Sequence, residues 1–246
     1  MPPRLRRSVL HRAAGVAELR LPAPRIDQTA AQALCAAVDE IALDETLRVV
    51  IVRGAPGAFC LGVTDLGAWA TQHDWVAAVG NLALPVIAAI DGDALAEGCE
   101  LALACDLRLA SPRARFALPQ LVDGRLPRHG GTQRLPRLIG RSRALELLLS
   151  GRVVAAREAE RLGLVSRLAP AGRLNTVVRR EVASLCAKGP IALRLGKEAV
   201  GKGVDLTLEQ GIRLEQDLYV LLQTTGDRAE GVRSFLQKRP PRFQGR

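Results

Sequence analysis

The hydrophobic pattern of the chain alternates short apolar runs with longer amphipathic segments. Val49–Arg53 (VVIVR), a β-branched run that ends at a glycine, predicts a buried strand of the parallel-sheet type. Similar runs predict strands at Val16–Leu21, Leu84–Ile90 and Asp106–Ala110. Apolar residues at helical spacing predict helices at Gln28–Ile41, Gly98–Ala104, Ser142–Leu149, Ala155–Arg161, Leu174–Ala187 and Leu206–Gln223.

This order of elements predicts an α/β fold class with two parts. Residues 1–195 form the α/β core, and residues 196–246 form a helical C-terminal region. The basic tail Lys238–Arg246 contains two prolines and is predicted to be an extended arm.

Composition places the chain among folded proteins without a membrane span. Its 246 residues are 48% hydrophobic and 24% charged, which excludes a disordered chain. The longest apolar stretches fall far short of the roughly 20 residues that span a bilayer. The basic start Met1–Leu10 is not followed by the apolar run of a secretory signal. We therefore expect a soluble, cytoplasmic protein with no membrane partner.

The cysteines and histidines give no pattern for a metal site or for disulfides. The five cysteines never form a C-x-x-C pair, and the three histidines have no H-x-x-x-H spacing. We expect buried, reduced thiols and no metal.

The net charge of +10 leaves several partners open. Only four of the 35 basic residues are lysines, and arginine suits phosphate oxygens. Nucleic acid, an acidic carrier protein or a polyphosphorylated cofactor could each use this surplus, or it could reflect a biased genomic composition. Aromatic residues are only 3%, and the arginines are spread over the whole length, so specific nucleic-acid binding is not expected.

Three loop-bearing segments could hold chemistry. Ala55–Leu66 follows a buried strand, at the end where open α/β sheets bind ligands. Ile90–Ala104 leads from a turn into a helix, whose first N–H groups can hold a developing anion. Phe116–Leu135 is rich in glycine and proline beside polar side chains.

Glu97 and Glu100 share a face of the predicted helix in the second segment. Glu97 lies at the helix start, where a carboxylate interacts favourably with the helix dipole. Glu100 lies among apolar residues, which tend to raise the pKa of a carboxyl and suit it to act as a general acid or base.

Together these segments resemble the crotonase (enoyl-CoA hydratase/isomerase) superfamily. The matching stretches are AFCLG…DL at 58–66, GCELALACDLRLAS at 98–111, GGTQRLPRLIGRSRALELLLSG at 130–151, AREAERLGLVSRL at 156–168 and EGVRSFLQKRPPRF at 230–243. Their order and spacing agree with the family over residues 48–243.

The resemblance implies a crotonase-like spiral of ββα units with a C-terminal helical trimerisation region, assembled as a homotrimer or a dimer of trimers. It also implies an acyl-CoA or acyl-carrier-protein thioester substrate, of the kind used in fatty acid or polyketide metabolism. No cofactor is implied other than the coenzyme A of the substrate, whose phosphates the arginines would suit.

The resemblance also assigns site residues. Two backbone N–H groups, of Val63 and Glu97, correspond to the oxyanion hole that stabilises an enolate. Thr64 is a rival for the first donor, because this chain is one residue longer there than the family pattern. Glu100 matches the first catalytic glutamate of hydratases, and Gln120 replaces the second.

Glutamine can position a water molecule but cannot exchange a proton near neutral pH. Asp123, three residues after Gln120, or His129, just before the Gly-Gly of the third segment, could supply an accessory proton-transfer group.

Four functions follow as hypotheses. The first is hydration or dehydration of an enoyl thioester with Glu100 as acid/base. The second is decarboxylation of an acyl thioester, which needs enolate stabilisation but no second carboxylate. The third is binding of acyl-CoA without turnover, which the Glu97 side chain and Gln120 favour. The fourth, nucleic-acid binding, rests on charge alone.

Overall fold

The computed structural model describes residues 9–65 and 73–246, which divide into two compact units. The first unit holds the described residues up to Leu82 together with Val86–Arg180, and the second holds Ala83–Pro85 and Glu181–Arg246. The predicted division at residues 195/196 stays a prediction. Leu66, at the end of the first predicted loop segment, lies outside the described residues, as does most of Met1–Leu10.

The strands of the first unit form two sheets. In chain order the described strands are β1 (Leu10–Ala13), β2 (Val16–Arg20), β3 (Val49–Arg53), β4 (Val86–Ile90), β5 (Asp93–Leu95), β6 (Leu107–Ala110), β7 (Arg115–Ala117), β8 (Val154–Ala155) and β9 (Arg167–Leu168). The larger sheet has the order β1-β2-β3-β4-β6-β9 and is parallel except for the β1–β2 pair. In the smaller sheet, β5-β7-β8, β5 and β7 are parallel.

Helices follow or flank these strands, which confirms the α/β class. In chain order they are α1 (Gln28–Ala42), α2 (Trp75–Gly80), α3 (Glu97–Ala104), α4 (Gly131–Ile139), α5 (Arg141–Ser150), α6 (Ala156–Leu162) and α7 (Leu174–Cys186), which continues into the second unit. A single 3₁₀ turn, Pro119–Leu121, precedes α4.

The central strands carry apolar side chains on both faces, as a parallel sheet covered on both sides requires. The first four residues of β3 and all five of β4 are buried. The bounds of β3 agree with the prediction. β4 begins at Val86 rather than at the predicted Leu84, and Pro85, which has no N–H to donate to a ladder, immediately precedes it.

Helix α3 is buried along its whole length, and its C-terminal end is fixed by a buried arginine. The Arg108 guanidinium donates to the carbonyl oxygens of Cys105 (2.6 Å) and Leu164 (2.8 Å). Burial lowers the pKa of Arg108. The hydrogen bonds to carbonyl oxygens offset part of the free-energy cost of burying its guanidinium. The helix that carries both glutamates is therefore held at one end.

The second unit is helical. It contains α8 (Pro190–Gly203), α9 (Leu208–Gln223) and α10 (Gly226–Leu236). Helix α9 begins after Thr207, whose side chain accepts from the Gln210 N–H in a capping box, so the predicted start at Leu206 is two residues early.

The C-terminal tail lacks helix and strand over the described residues 240–246, as predicted, but it is not a free arm. The buried Asp227 carboxylate on α10 accepts from the backbone N–H groups of Gln244 (2.6 Å) and Gly245 (2.9 Å). Glu230 on the same helix forms an ion pair with Arg239 (2.6 Å). The tail is therefore tied back onto α10.

All five cysteines are free thiols, as predicted, although Cys35 and Cys186 are only half-buried. Burial raises the pKa of both Cys60 and Cys99 to about 12. Among the described residues, none of the helices is both long enough and apolar enough to cross a bilayer.

Candidate active site

The loop after β3 and the start of α3 are joined through β5. The N–H groups of Phe59 and Cys60 both donate to the Asp93 carbonyl oxygen (2.9 Å each), and the Leu95 N–H donates back to Cys60 (2.8 Å). Gly98 permits this approach, because a Cβ there would lie 2.1 Å from the Cys60 carbonyl oxygen. The first two predicted segments therefore meet.

The backbone N–H groups of the two candidates for the first oxyanion donor have different acceptors. The Thr64 N–H donates to the carbonyl oxygen of Ile26 (3.0 Å) and is thereby occupied. The Val63 N–H instead faces α3, where it donates to Glu97 Oε2 (3.3 Å). This geometry favours Val63 over Thr64.

Glu97 lies at the first position of α3 and is 3% exposed. Its own N–H belongs to the first turn, where helical amides have no acceptor within the helix. Its carboxylate, however, lies against the loop that follows β3, where a Cβ on Gly62 would lie 2.5 Å from Oε2. The Glu97 side chain thus contacts the other predicted donor, the Val63 N–H.

Glu100 is completely buried, and backbone groups hold its carboxylate. Oε1 accepts from the N–H groups of His129 (2.8 Å) and Gly131 (2.9 Å), the first residue of α4. A Cβ on Gly131 would lie 3.1 Å from this oxygen, so glycine allows the close approach. Burial raises the pKa of Glu100, against the opposing effect of these two hydrogen bonds and of His129, and the Glu97 charge adds to the rise.

Gln120 contacts the other oxygen of Glu100. It lies in the 3₁₀ turn and is 1% exposed, and its Nε2 donates to Glu100 Oε2 (3.3 Å). Its Oε1 is buried, and no hydrogen-bond partner for it is found among the described residues. The amide therefore holds Glu100 with one end and offers a free acceptor at the other.

His129 is tied to a residue that the sequence analysis missed. Its backbone N–H donates to Glu100, while its ring Nδ1 lies 2.8 Å from Oδ1 of Asp74. Asp74 also caps α2 by accepting from Ala77 (2.8 Å), and an aspartate before a helical run was the available signal. The ring Nε2 is buried without a partner in the described part of the chain.

Asp123 lies at the surface, away from these contacts. Its carboxylate pairs with Arg125 (3.1 Å) and is 57% exposed. Arg125 was not singled out from the sequence, although its other terminal nitrogen lies 3.9 Å from Glu97 Oε1. The structure thus brings Val63, Glu97, Glu100, Gln120 and the His129 backbone together, and it places Asp123 only at the far side of Arg125.

No group of histidine, cysteine, aspartate and glutamate that could hold a metal ion occurs in the described residues 9–65 and 73–246.

Comparison with known proteins identifies close relatives. A family model described as enoyl-CoA hydratase/isomerase matches residues 11–246. The mitochondrial methylglutaconyl-CoA hydratase of Mus musculus is 38% identical over 229 residues, which cover 86% of this chain and 73% of that protein.

Solved structures agree with the fold. The enoyl-CoA hydratase from Bacillus anthracis has a TM-score of 0.91 at 35% identity and covers 96% of this chain and 98% of its own. The enoyl-CoA hydratase of Mycobacterium smegmatis has a TM-score of 0.87 at 29% identity, with 96% and 98% covered. The predicted α/β, crotonase-like fold is confirmed, and the trimerisation role of the C-terminal helices stays a prediction.

Proposed function

The chain belongs to the enoyl-CoA hydratase/isomerase family, and we propose that it adds water to a 2-enoyl-CoA thioester, or removes it, with Glu100 as the acid/base. The observation that carries this proposal is the buried Glu100 carboxylate, held by two backbone N–H groups at the start of α4 with a raised pKa. A hydratase activity is consistent with the relatives, which are named methylglutaconyl-CoA hydratase and enoyl-CoA hydratase.

In the proposed reaction, the thioester oxygen accepts hydrogen bonds from the N–H groups of Val63 and Glu97. As negative charge moves onto this oxygen, preorganised donors stabilise the enolate by about 3 kcal/mol each. Glu100 takes a proton from water while the water oxygen bonds to Cβ, and the enolate is then protonated at Cα. Glu100 returns the same proton, so one carboxyl balances the reaction.

Gln120 has a part in this scheme that needs no proton exchange. Its Nε2 donates to Glu100 Oε2 and so orients the carboxylate. Its free Oε1 can accept a hydrogen bond from the attacking water.

Two other functions each have one observation in their favour. The lack of a second carboxyl at Gln120 suits decarboxylation of a carboxylated acyl thioester, which needs a stabilised enolate and one proton donor. The Glu97 carboxylate on the Val63 N–H suits a protein that binds acyl-CoA without turnover.

The test is incubation of the purified protein with crotonyl-CoA, followed by mass spectrometry. We expect a gain of one water. Bound but unchanged crotonyl-CoA, with CO₂ released from a carboxylated thioester, would replace this proposal by decarboxylation. Binding of both without any product would identify an acyl-CoA-binding protein.

The finer properties implied by the family are part of the same proposal. We expect a homotrimer or a dimer of trimers, supported by exposed apolar side chains of the second unit such as Leu208 (81%) and Phe235 (82%). The substrate carries coenzyme A or a carrier protein, and no other cofactor is expected.

A further inference from the structure

The Glu97 carboxylate lies between two partners and makes an ideal contact with neither. Oε2 is 3.3 Å from the Val63 nitrogen, whereas amide hydrogen bonds centre near 2.9 Å. Oε1 is 3.9 Å from Arg125 Nη1, whereas hydrogen-bonded ion pairs lie near 2.8 Å. A small rotation of this side chain toward Arg125 would shorten one contact and break the other.

The observed position conflicts with the proposed reaction. The Val63 N–H cannot donate to a thioester oxygen while a carboxylate oxygen occupies it. A negative charge at this place also repels the charge that develops on the enolate oxygen. The carboxylate must therefore leave when an acyl thioester binds.

Arg125 is placed to receive it. Its N–H donates to the Gln120 carbonyl oxygen (2.8 Å), so its backbone is fixed to the turn beside Glu100. One end of its guanidinium is held by Asp123 (3.1 Å), and its side chain is 32% exposed. A guanidinium keeps its charge and has five N–H donors, so it can hold a second carboxylate without releasing the first.

We propose that Arg125 is a positioning residue, which withdraws the Glu97 carboxylate from the Val63 N–H and so opens the oxyanion hole to the thioester. The inference rests on the proposed role of the Val63 and Glu97 amides. It accounts for the presence of a glutamate where its side chain obstructs the site: the arginine provides the position to which that side chain moves.

The test is a double-mutant cycle read out by the dissociation constant of butyryl-CoA, a saturated thioester that cannot be hydrated. Glu97→Ala removes the competing carboxylate and keeps the N–H, so binding becomes about tenfold tighter. Arg125→Gln removes the charge that withdraws Glu97, so binding becomes about tenfold weaker. In the Glu97→Ala background, Arg125→Gln has no effect beyond about twofold, because no carboxylate remains to be moved.

Arg152→Gln is the matched control. Arg152 also bridges two carboxylates, Glu146 (2.8 Å) and Glu158 (2.7 Å), but neither belongs to the site, so its butyryl-CoA affinity stays that of the unaltered protein. Thermal unfolding of every variant separates loss of binding from loss of folding.

Two results would overturn the inference. If Glu97→Ala does not tighten binding, the carboxylate does not compete with the thioester. If Arg125→Gln weakens binding equally in both backgrounds, Arg125 acts on the ligand itself. Hydration of crotonyl-CoA is assayed separately. Absence of hydration in every variant, with the expected affinities, would reject the proposed reaction and leave the role of Arg125 standing.

Discussion

Glu100 illustrates how three neighbours set the properties of one residue. Two backbone N–H groups bind Oε1 and the Gln120 amide binds Oε2. Burial outweighs the two backbone hydrogen bonds and raises the carboxyl pKa. Its apolar surroundings were visible in the sequence, and they predict the direction of this shift. The hydrogen bonds were not visible, because His129 and Gly131 lie about 30 residues away and reach Glu100 only through the tertiary fold.

The raised pKa predicts how stability depends on pH. Below the ordinary glutamate value of 4.5, Glu100 is protonated in both the folded and unfolded states. At higher pH the unfolded chain loses this proton first, so the folded state loses stability until the pH passes the raised pKa. The free energy of unfolding of the unaltered protein should fall relative to that of Glu100→Gln, by up to about 1.4 kcal/mol per pH unit in this window.

Glu100→Gln is a suitable reference because its hydrogen bonds can survive. The Gln oxygen can still accept from His129 and Gly131, and its new NH₂ group meets the free Oε1 of Gln120 if that amide turns over. Urea unfolding from about pH 5 to about pH 8 measures the difference. If the free energy of unfolding changes with pH in the same way for both proteins, the prediction is contradicted. Glu45→Gln, at an exposed position, is the control.

At the scale of elements, predictions succeeded where local pattern and tertiary context agreed. β3 and α1 carry uninterrupted apolar signals, and their predicted bounds are correct to within one residue. Four described helices were not predicted. α2 has only six residues, too few to show a helical period. α4 starts at a Gly-Gly pair and contains Pro136, α8 contains Gly196 and Gly201, and α10 starts at Gly226 and contains Gly231. These residues disfavour an isolated helix, and packing overrides that preference.

The tail is held to α10 by two carboxylates, of which Asp227 is the buried one and Glu230 the other. Asp227 accepts from two backbone N–H groups of the tail and is 5% exposed. Asp227→Ala removes both bonds but leaves the Glu230–Arg239 ion pair. We therefore expect residues 244–246 to be released from α10 and trypsin to cleave after Arg242 about tenfold faster.

Asp217→Ala, at an exposed position on α9, is the control and should be cleaved like the unaltered protein. Equal cleavage of all three proteins would mean that Asp227 does not hold the tail.

At the scale of the whole chain, the sequence predicted which segments come together at the candidate site but not how their side chains are arranged there. The loop after β3, the start of α3 and the turn at Gln120 meet as expected. The contact of Glu97 with Val63, and the places of Arg125 and Asp74, depend on rotamers and on the close approach of loops at Gly62 and Gly98. No spacing rule along one sequence encodes such contacts.

The central claim is that Glu100 carries out the proton transfers of water addition, and one rate comparison tests it most directly. The initial rate of crotonyl-CoA hydration is measured for the unaltered protein, for Glu100→Gln and for Glu45→Gln. We predict that Glu45→Gln keeps the full rate and that Glu100→Gln, although folded, loses about 1,000-fold, the scale of general acid–base catalysis. A Glu100→Gln rate within about twofold of the unaltered protein would contradict the account, since the proton would then be moved by another group.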